Sequence, residues 1–138
     1  MTLFNLSKTG LILSILSIIA GAVVRATGSG NGCGSSWPSC NGQLIPSLNS
    51  ASEQIEFSHR SISGLLLIVT LVIFLKSFHP SVPNIQKKVI KYLTFFVLFE
   101  ALIGAVIVLY EWVGMNSSLP RVAAVPLHLV NTFGLLAM

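Results

Sequence analysis

Four apolar segments, each close to the length of a membrane-crossing helix, leave this chain very few folds. They cover residues 10–26, 55–78, 89–110 and 120–138. A helix needs about 20 apolar residues to cross the hydrocarbon of a bilayer, so four of them use about 80 residues. The rest of the 138 residues suffices for short loops and termini, with no room for a second, soluble domain. Composition agrees, because 53% of residues are hydrophobic and only 9% are charged. An ordinary soluble domain is roughly a quarter charged. Mean hydropathy is +0.83. A soluble globular protein is excluded, and so is disorder, which requires low hydrophobicity and high charge. The expected fold is an all-α integral membrane protein, an antiparallel four-helix transmembrane bundle forming one domain over residues 1–138.

Charge then sets the expected topology. Eight Lys and Arg stand against four Glu and no Asp, for a net charge of +4. Lys76, Lys87, Lys88 and Lys91 fall together in one short connection that Pro80 and Pro83 break. Clustered positive charge beside membrane helices marks the cytoplasmic side, not a phosphate-binding face, so no nucleic acid is expected. Lys8 places the N-terminus on the same side. The long loop of residues 27–54 and the short one of 111–119 then lie outside the cytoplasm. Lys8 followed by an apolar stretch and Ala20-Gly21-Ala22 also has the pattern of a cleavable signal. Cleavage would leave three helices and the same loop orientation. A bacterial plasma membrane is expected, because no Arg-rich amphipathic presequence precedes the first segment.

Helix ends carry local signals. Ser50 and Glu53 have capping-box spacing. Pro120 suits a first helical turn, where its missing N–H costs nothing. Ser14, Ser17 and Gly21 line one side of the first helix, and Ala101 and Ala105 one side of the third. Small faces let helices approach closely in lipid.

Ionisable side chains in the bilayer need a reason, since each costs roughly 2.5–3.5 kcal/mol at the centre. The second segment carries Glu56, His59 and Arg60, the third Glu100, and the fourth His128 and Asn131. Glu56 and His59 share one helix face. From the expected helix starts, His59 lies roughly 6 Å in and His128 roughly 12 Å in, at about 1.5 Å per residue. Both imidazoles therefore fall at similar depth near the outer surface. A histidine at a helix end is ordinarily hydrated, yet two on separate helices also suit axial ligation of haem iron. Pro126 would bend the fourth helix and re-aim His128. His79, beside Pro80 at the opposite end, reads as a solvated loop residue. Arg25 and Arg60 either snorkel to the surface or pair with an anionic ligand group. Glu100 reads as a hydrogen-bonded structural group, with a proton path as the alternative.

Cys33 and Cys40 sit in the long Gly- and Ser-rich loop. Its glycines and Pro38 can turn the chain back, so a disulfide is sterically feasible in an oxidising compartment. A structural staple and a redox-active pair both remain open. The spacing is too wide for a metal-binding or thioredoxin-type CxxC motif, and no other metal site is expected.

These residues together resemble a known family. Gly21-Ala22-Val23-Val24-Arg25-Ala26-Thr27-Gly28-Ser29-Gly30, then Cys33, Trp37-Pro38, Cys40-Asn41-Gly42 and Pro46, resemble the first loop of haem A synthases. Glu56-Phe57-Ser58-His59-Arg60 resembles the E-x-x-H-R opening of their second helix. Pro126-Leu127-His128-Leu129-Val130-Asn131 is similar to the segment bearing the second histidine of their amino-terminal half. The resemblance implies an eight-helix membrane oxidoreductase built as two four-helix halves. Such enzymes oxidise a ring methyl of haem O to a formyl group, giving haem A for cytochrome oxidase assembly. It implies His59 and His128 as haem iron ligands; with a haem there, Glu56 is the expected catalytic carboxylate, and Arg25 and Arg60 are the expected haem propionate contacts. It shifts Cys33 and Cys40 towards a redox-active disulfide. Haem O is the implied substrate, and a haem b belongs to the carboxy-terminal half, which this chain lacks. Besides haem and the lipid bilayer, the implied partners are that missing half or a second copy, and the haem O-producing farnesyltransferase. Glu100 departs from the family pattern, where an amide is expected. Two other functions fit fewer of these residues. A b-type haem electron carrier needs only the histidines. A membrane thiol–disulfide oxidoreductase needs only the cysteines, and usually a second pair.

Overall fold

A computed structural model describes residues 2–47, 49–113 and 118–137. Its elements are α1 (Leu3–Ala26), a single 3-10 turn (Ser29–Asn31), α2 (Ala51–Ser77), α3 (Asn84–Leu109) and α4 (Leu119–Leu136). All four α-helices are long and apolar enough to cross a membrane. Residues 114–117 of the loop expected at 111–119, and residue 138 of the fourth apolar segment, lie outside the described residues.

Helix starts explain the main difference from the expected spans. Hydropathy marks where a segment becomes apolar, whereas a helix begins where its free N–H groups find a cap. Thr2 caps α1, its hydroxyl accepting from Asn5 N at 3.3 Å. Ser50 caps α2, accepting from Glu53 N at 3.3 Å. Thus α1, α2 and α3 each begin several residues before their apolar stretch. Gly28, at φ 67°, turns the chain after α1, a left-handed conformation that only glycine adopts freely. Pro120 lies in the first turn of α4, which continues unbroken through Pro126.

The helices pack in chain order, α1 on α2, α2 on α3 and α3 on α4. Contact positions rise along α1 as they fall along α2. Leu6 clusters with Ile73, Ser17 bonds Ser63 at 2.8 Å, and Gly21 faces His59. The small face of α1 is therefore the one that meets α2. The same order relates α3 to α4, where Phe96 meets Gly134 and Gly104 meets His128. Leu6, Ile73 and Ile90 form a buried cluster at one end. At the other end Gly30 lies against Val113, so the disulfide loop and the α3–α4 loop share that end.

The exterior is apolar. Ile12, Ile19, Ile68, Phe95, Leu102 and Val130 are all exposed. Water would penalise so much contiguous apolar surface, whereas lipid solvates it. Hydroxyls inside the helices are satisfied locally. Ser14, Thr70 and Thr94 each donate to the carbonyl four residues back, which allows a polar side chain in an apolar segment.

Candidate functional site

Two clusters of polar side chains occupy the loop end of the bundle. The first fastens the disulfide loop to α2. Cys33 and Cys40 are bonded to each other and fully buried. Glu53, Glu56 and Arg60 lie on one face of α2 and grip that loop. Glu53 accepts from Asn41 Nδ2 at 3.2 Å and from Ser47 N at 2.9 Å. Its side chain is therefore used on the loop rather than on the reciprocal bond of a capping box. Glu56 is only 3% exposed. Its Oε2 accepts from Cys33 N at 2.8 Å, and its Oε1 pairs with Arg60 at 2.5 Å. Arg60 also donates to the carbonyls of Ser36 at 2.5 Å and Ser39 at 2.7 Å. Gly32 completes the seat, since a Cβ there would stand 2.6 Å from the Ser52 backbone.

This geometry changes what two expected site residues are free to do. Arg60 does not present its guanidinium to an outside anion. Its two terminal nitrogens are engaged by Glu56 and two loop carbonyls, as a buried cation requires, while its Nε is buried without a partner among the described residues. Glu56 likewise has both oxygens engaged. Arg25 is exposed in the last turn of α1, where a cation complements the helix dipole.

The second cluster holds the histidines. His59, on α2, sits against Gly21 of α1, where a Cβ would come within 3.1 Å of its Cε1. His128, on α4, sits against Gly104 of α3, where a Cβ would come within 3.6 Å of its Cε1. Each ring thus rests on a glycine of the preceding helix. With the observed helix starts, His59 lies about 12 Å along α2 and His128 about 14 Å along α4. The earlier start of α2 brings the two to nearly equal depth. His59 is within electrostatic reach of His128, Glu100 and Arg60.

Their immediate partners differ. His128 Nδ1 lies 3.3 Å from Glu100 Oε1, an ion-pair contact that lacks hydrogen-bond geometry. Glu100 is held in turn by the Thr132 hydroxyl and by Asn131 Nδ2, the latter at 2.5 Å. Asn131 Nδ2 also donates to Phe96 O at 3.0 Å. His59 Nδ1 is buried without a hydrogen-bond partner among the described residues. The Ser17 carbonyl lies beside that ring but outside hydrogen-bonding geometry. His79 bonds Ser81 at 2.7 Å in the α2–α3 turn, far from the other two.

Three participants are not conspicuous in the sequence. Gly21 and Gly104 had signalled only close helix packing or nothing at all. Arg121, in the first turn of α4, has a buried Nε without a partner among the described residues. It stands two turns from His128 on the same face. A lone arginine at a helix start carries no sequence signal without that geometry. A concavity of about 310 Å³ between α1 and α2 is lined by Ala20, Val23, Gln54, Ile55 and Ser58. It contains neither histidine and is not the site.

The COX15-CtaA family model, described as a cytochrome oxidase assembly protein, matches residues 5–55. A haem A synthase of Exiguobacterium is 40% identical over 100 residues, covering 70% of this chain and 33% of that protein. One of Macrococcus caseolyticus is 40% identical over 116 residues, covering 78% of this chain and 37% of that protein. This chain is similar to haem A synthases over most of its length. A protoheme IX farnesyltransferase of Thermus thermophilus is also similar, 41% identical over 133 residues. That match covers 92% of this chain but 21% of the farnesyltransferase. The chain therefore spans about a third of the length of the haem A synthases it matches. No solved structure matches. The family and the four apolar helices make this a multi-pass membrane protein.

Proposed function

We propose that this chain forms one haem-handling unit of a haem A synthase, taking haem O as substrate and taking part in oxidation of a ring methyl to a formyl group. The observation that carries this is the pair His59 and His128, at similar distances from the starts of α2 and α4, each ring seated on a glycine. Porphyrin already supplies four nitrogens to its iron, so one or two protein ligands would suffice to hold it. Two imidazoles therefore fit a haem better than a free metal ion, which needs more protein ligands. The relatives' names agree on the substrate class. One set is named for making haem A, the other for acting on protohaem IX. Haem O would supply the ring methyl to be oxidised, and an external acceptor would take the electrons removed from it.

The chain's own residues bind and orient. His59 and His128 are the residues that would hold the haem iron. For the haem propionates we propose Arg25 and, because Arg60 is engaged by the loop, Arg121. Both would meet carboxylates at the disulfide-loop end. Glu56 is the carboxylate proposed to take up a proton near the reacting methyl, and doing so means releasing Arg60. General-base work requires hydrogen-bond reach, so loop movement must accompany it. The disulfide loop covers this end as a lid, with Cys33 and Cys40 as its brace or its electron route. The loop end faces away from the cytoplasm, and Lys76, Lys87, Lys88 and Lys91 lie on the cytoplasmic side. A second copy or a further four-helix half supplies the haem b site. The haem O-producing farnesyltransferase is the proposed neighbour that delivers substrate.

Expression in cells that make haem O, followed by chromatography of extracted pigments, tests the reaction. The wild-type chain is expected to yield a formyl-bearing haem. Glu56→Gln is expected to retain haem O and yield none. Full conversion by that variant would remove Glu56 from the chemistry. No conversion by a wild-type chain that holds haem O would assign the oxidation to the longer relatives.

A further inference from the structure

We propose that Glu100 is a positioning residue that makes His128 the firmly held iron ligand and leaves His59 as the exchangeable one. This rests on the haem reading above and goes beyond it, since that reading treats the histidines alike. The carboxylate of Glu100 lies 3.3 Å from His128 Nδ1. It is itself held from α4 by Asn131 and Thr132. Those two residues follow His128 by one helical turn, so three side chains of one α4 face converge on a single carboxylate of α3. The arrangement over-determines where Glu100 points, and through it the ring of His128.

A carboxylate on Nδ1 has a defined effect on a metal-binding imidazole. It keeps the proton on Nδ1, leaves the Nε2 lone pair for the metal, and strengthens that nitrogen as a donor. It also places a negative charge beside a ferric centre. His59 has no carboxylate at that position. Neither ring's Nδ1 makes a hydrogen bond of good geometry among the described residues, but the nearest polar neighbour of His59 is the neutral Ser17 carbonyl, whereas that of His128 is the Glu100 carboxylate. The acid one turn away, Glu56, is committed to Arg60 and Cys33 N. The ring is kept in place by packing against Gly21, and the neutral Ser17 carbonyl beside it brings no negative charge to strengthen it as a donor. A site that must admit one haem and release another works with one strong and one weak ligand, because the weak one opens first.

Glu100 has a structural alternative, which is to tie α3 to α4. The two roles part in their spectroscopic consequences. The purified chain is titrated with protohaem IX, alone and as Glu100→Gln, His59→Ala and His128→Ala. Monodispersity and helix content of each variant serve as folding controls. His128→Ala is expected to lose haem. His59→Ala is expected to keep it, with a change from a low-spin six-coordinate to a high-spin five-coordinate spectrum. Glu100→Gln, which preserves shape and an acceptor oxygen, is expected to weaken haem binding on the order of 10-fold. It should also raise the reduction potential by removing a negative charge near the iron. Unchanged affinity and potential in a folded Glu100→Gln protein would reduce Glu100 to a helix tie and overturn the proposal. So would haem retained by His128→Ala and lost by His59→Ala. A folded wild type that takes up no protohaem IX would instead sink the haem reading, and this inference with it.

Discussion

At the scale of single residues, the buried pair of Glu56 and Arg60 is the most sensitive point. Removing one partner of a buried ion pair strands the other and typically costs about 3–5 kcal/mol. Glu56→Ala is therefore expected to destabilise the protein by about that amount, read as a fall in the thermal midpoint in detergent. Glu56→Gln keeps an acceptor for Cys33 N and should cost clearly less. Equal destabilisation by the two would mean that shape, not charge, holds the loop. Arg121 makes a separate prediction. If it meets a haem propionate, Arg121→Gln should weaken binding of protohaem IX about 10-fold, the worth of one charge-assisted hydrogen bond. It should leave binding of the dimethyl ester unchanged. Equal weakening of acid and ester would exclude a propionate contact. The sequence made Glu56, His59, Arg60, Glu100 and His128 conspicuous, because ionisable side chains in apolar segments demand an account. It did not reveal which of them partner one another. Arg60 meets loop carbonyls more than 20 residues away in sequence, and Glu100 meets a helix 31 residues on. Those pairings follow from packing, which no local pattern encodes.

At the scale of elements, the fold repeats one device. In α1 and α3 a glycine lies near the C-terminal end, and in α2 and α4 a histidine lies well inside the N-terminal end and rests on it. No sequence repeat announces this, because only two residues per helix pair are constrained. The device predicts an asymmetry among glycines. Gly21→Val puts a branched side chain where even a Cβ stands 3.1 Å from His59, so haem bound per protein should fall severely. Gly64 has open space around its Cβ position. Gly64→Ala should leave haem content intact and stabilise α2 by up to about 1 kcal/mol. Similar losses from both substitutions would show that helix integrity, not the ring seat, limits binding. The disulfide loop gives a second comparison between elements. Its grip on α2 comes from Glu53, Glu56 and Arg60 as well as from the Cys33–Cys40 bond. Arg60→Ala with the disulfide intact should expose the loop to protease more than reduction does in the wild type. The reverse order would make the disulfide the principal anchor.

At the scale of the whole molecule, the number of helices was legible because hydrocarbon demands long apolar segments. Their starts were not, because Thr2, Ser50 and Pro83 set them through backbone capping and conformation instead of hydropathy. That difference carried to the site, since the earlier start of α2 is what equalises the depths of His59 and His128. Topology is the molecular property that the clustered lysines predict. In a chain whose own cysteines are replaced by serine, single cysteines at Leu44 and Ser81 should differ in labelling by an impermeant maleimide on intact cells. Leu44→Cys should label and Ser81→Cys should not. The opposite result would invert the bundle and place the haem site at the cytoplasmic surface. On the proposed function, His59 and His128 bracket one haem. The most direct test is the absorption spectrum of the purified wild-type chain reconstituted with one equivalent of protohaem IX. Bis-imidazole ligation predicts a sharp low-spin six-coordinate spectrum. A five-coordinate spectrum in the wild type, or a six-coordinate one that survives replacement of both histidines, would contradict it.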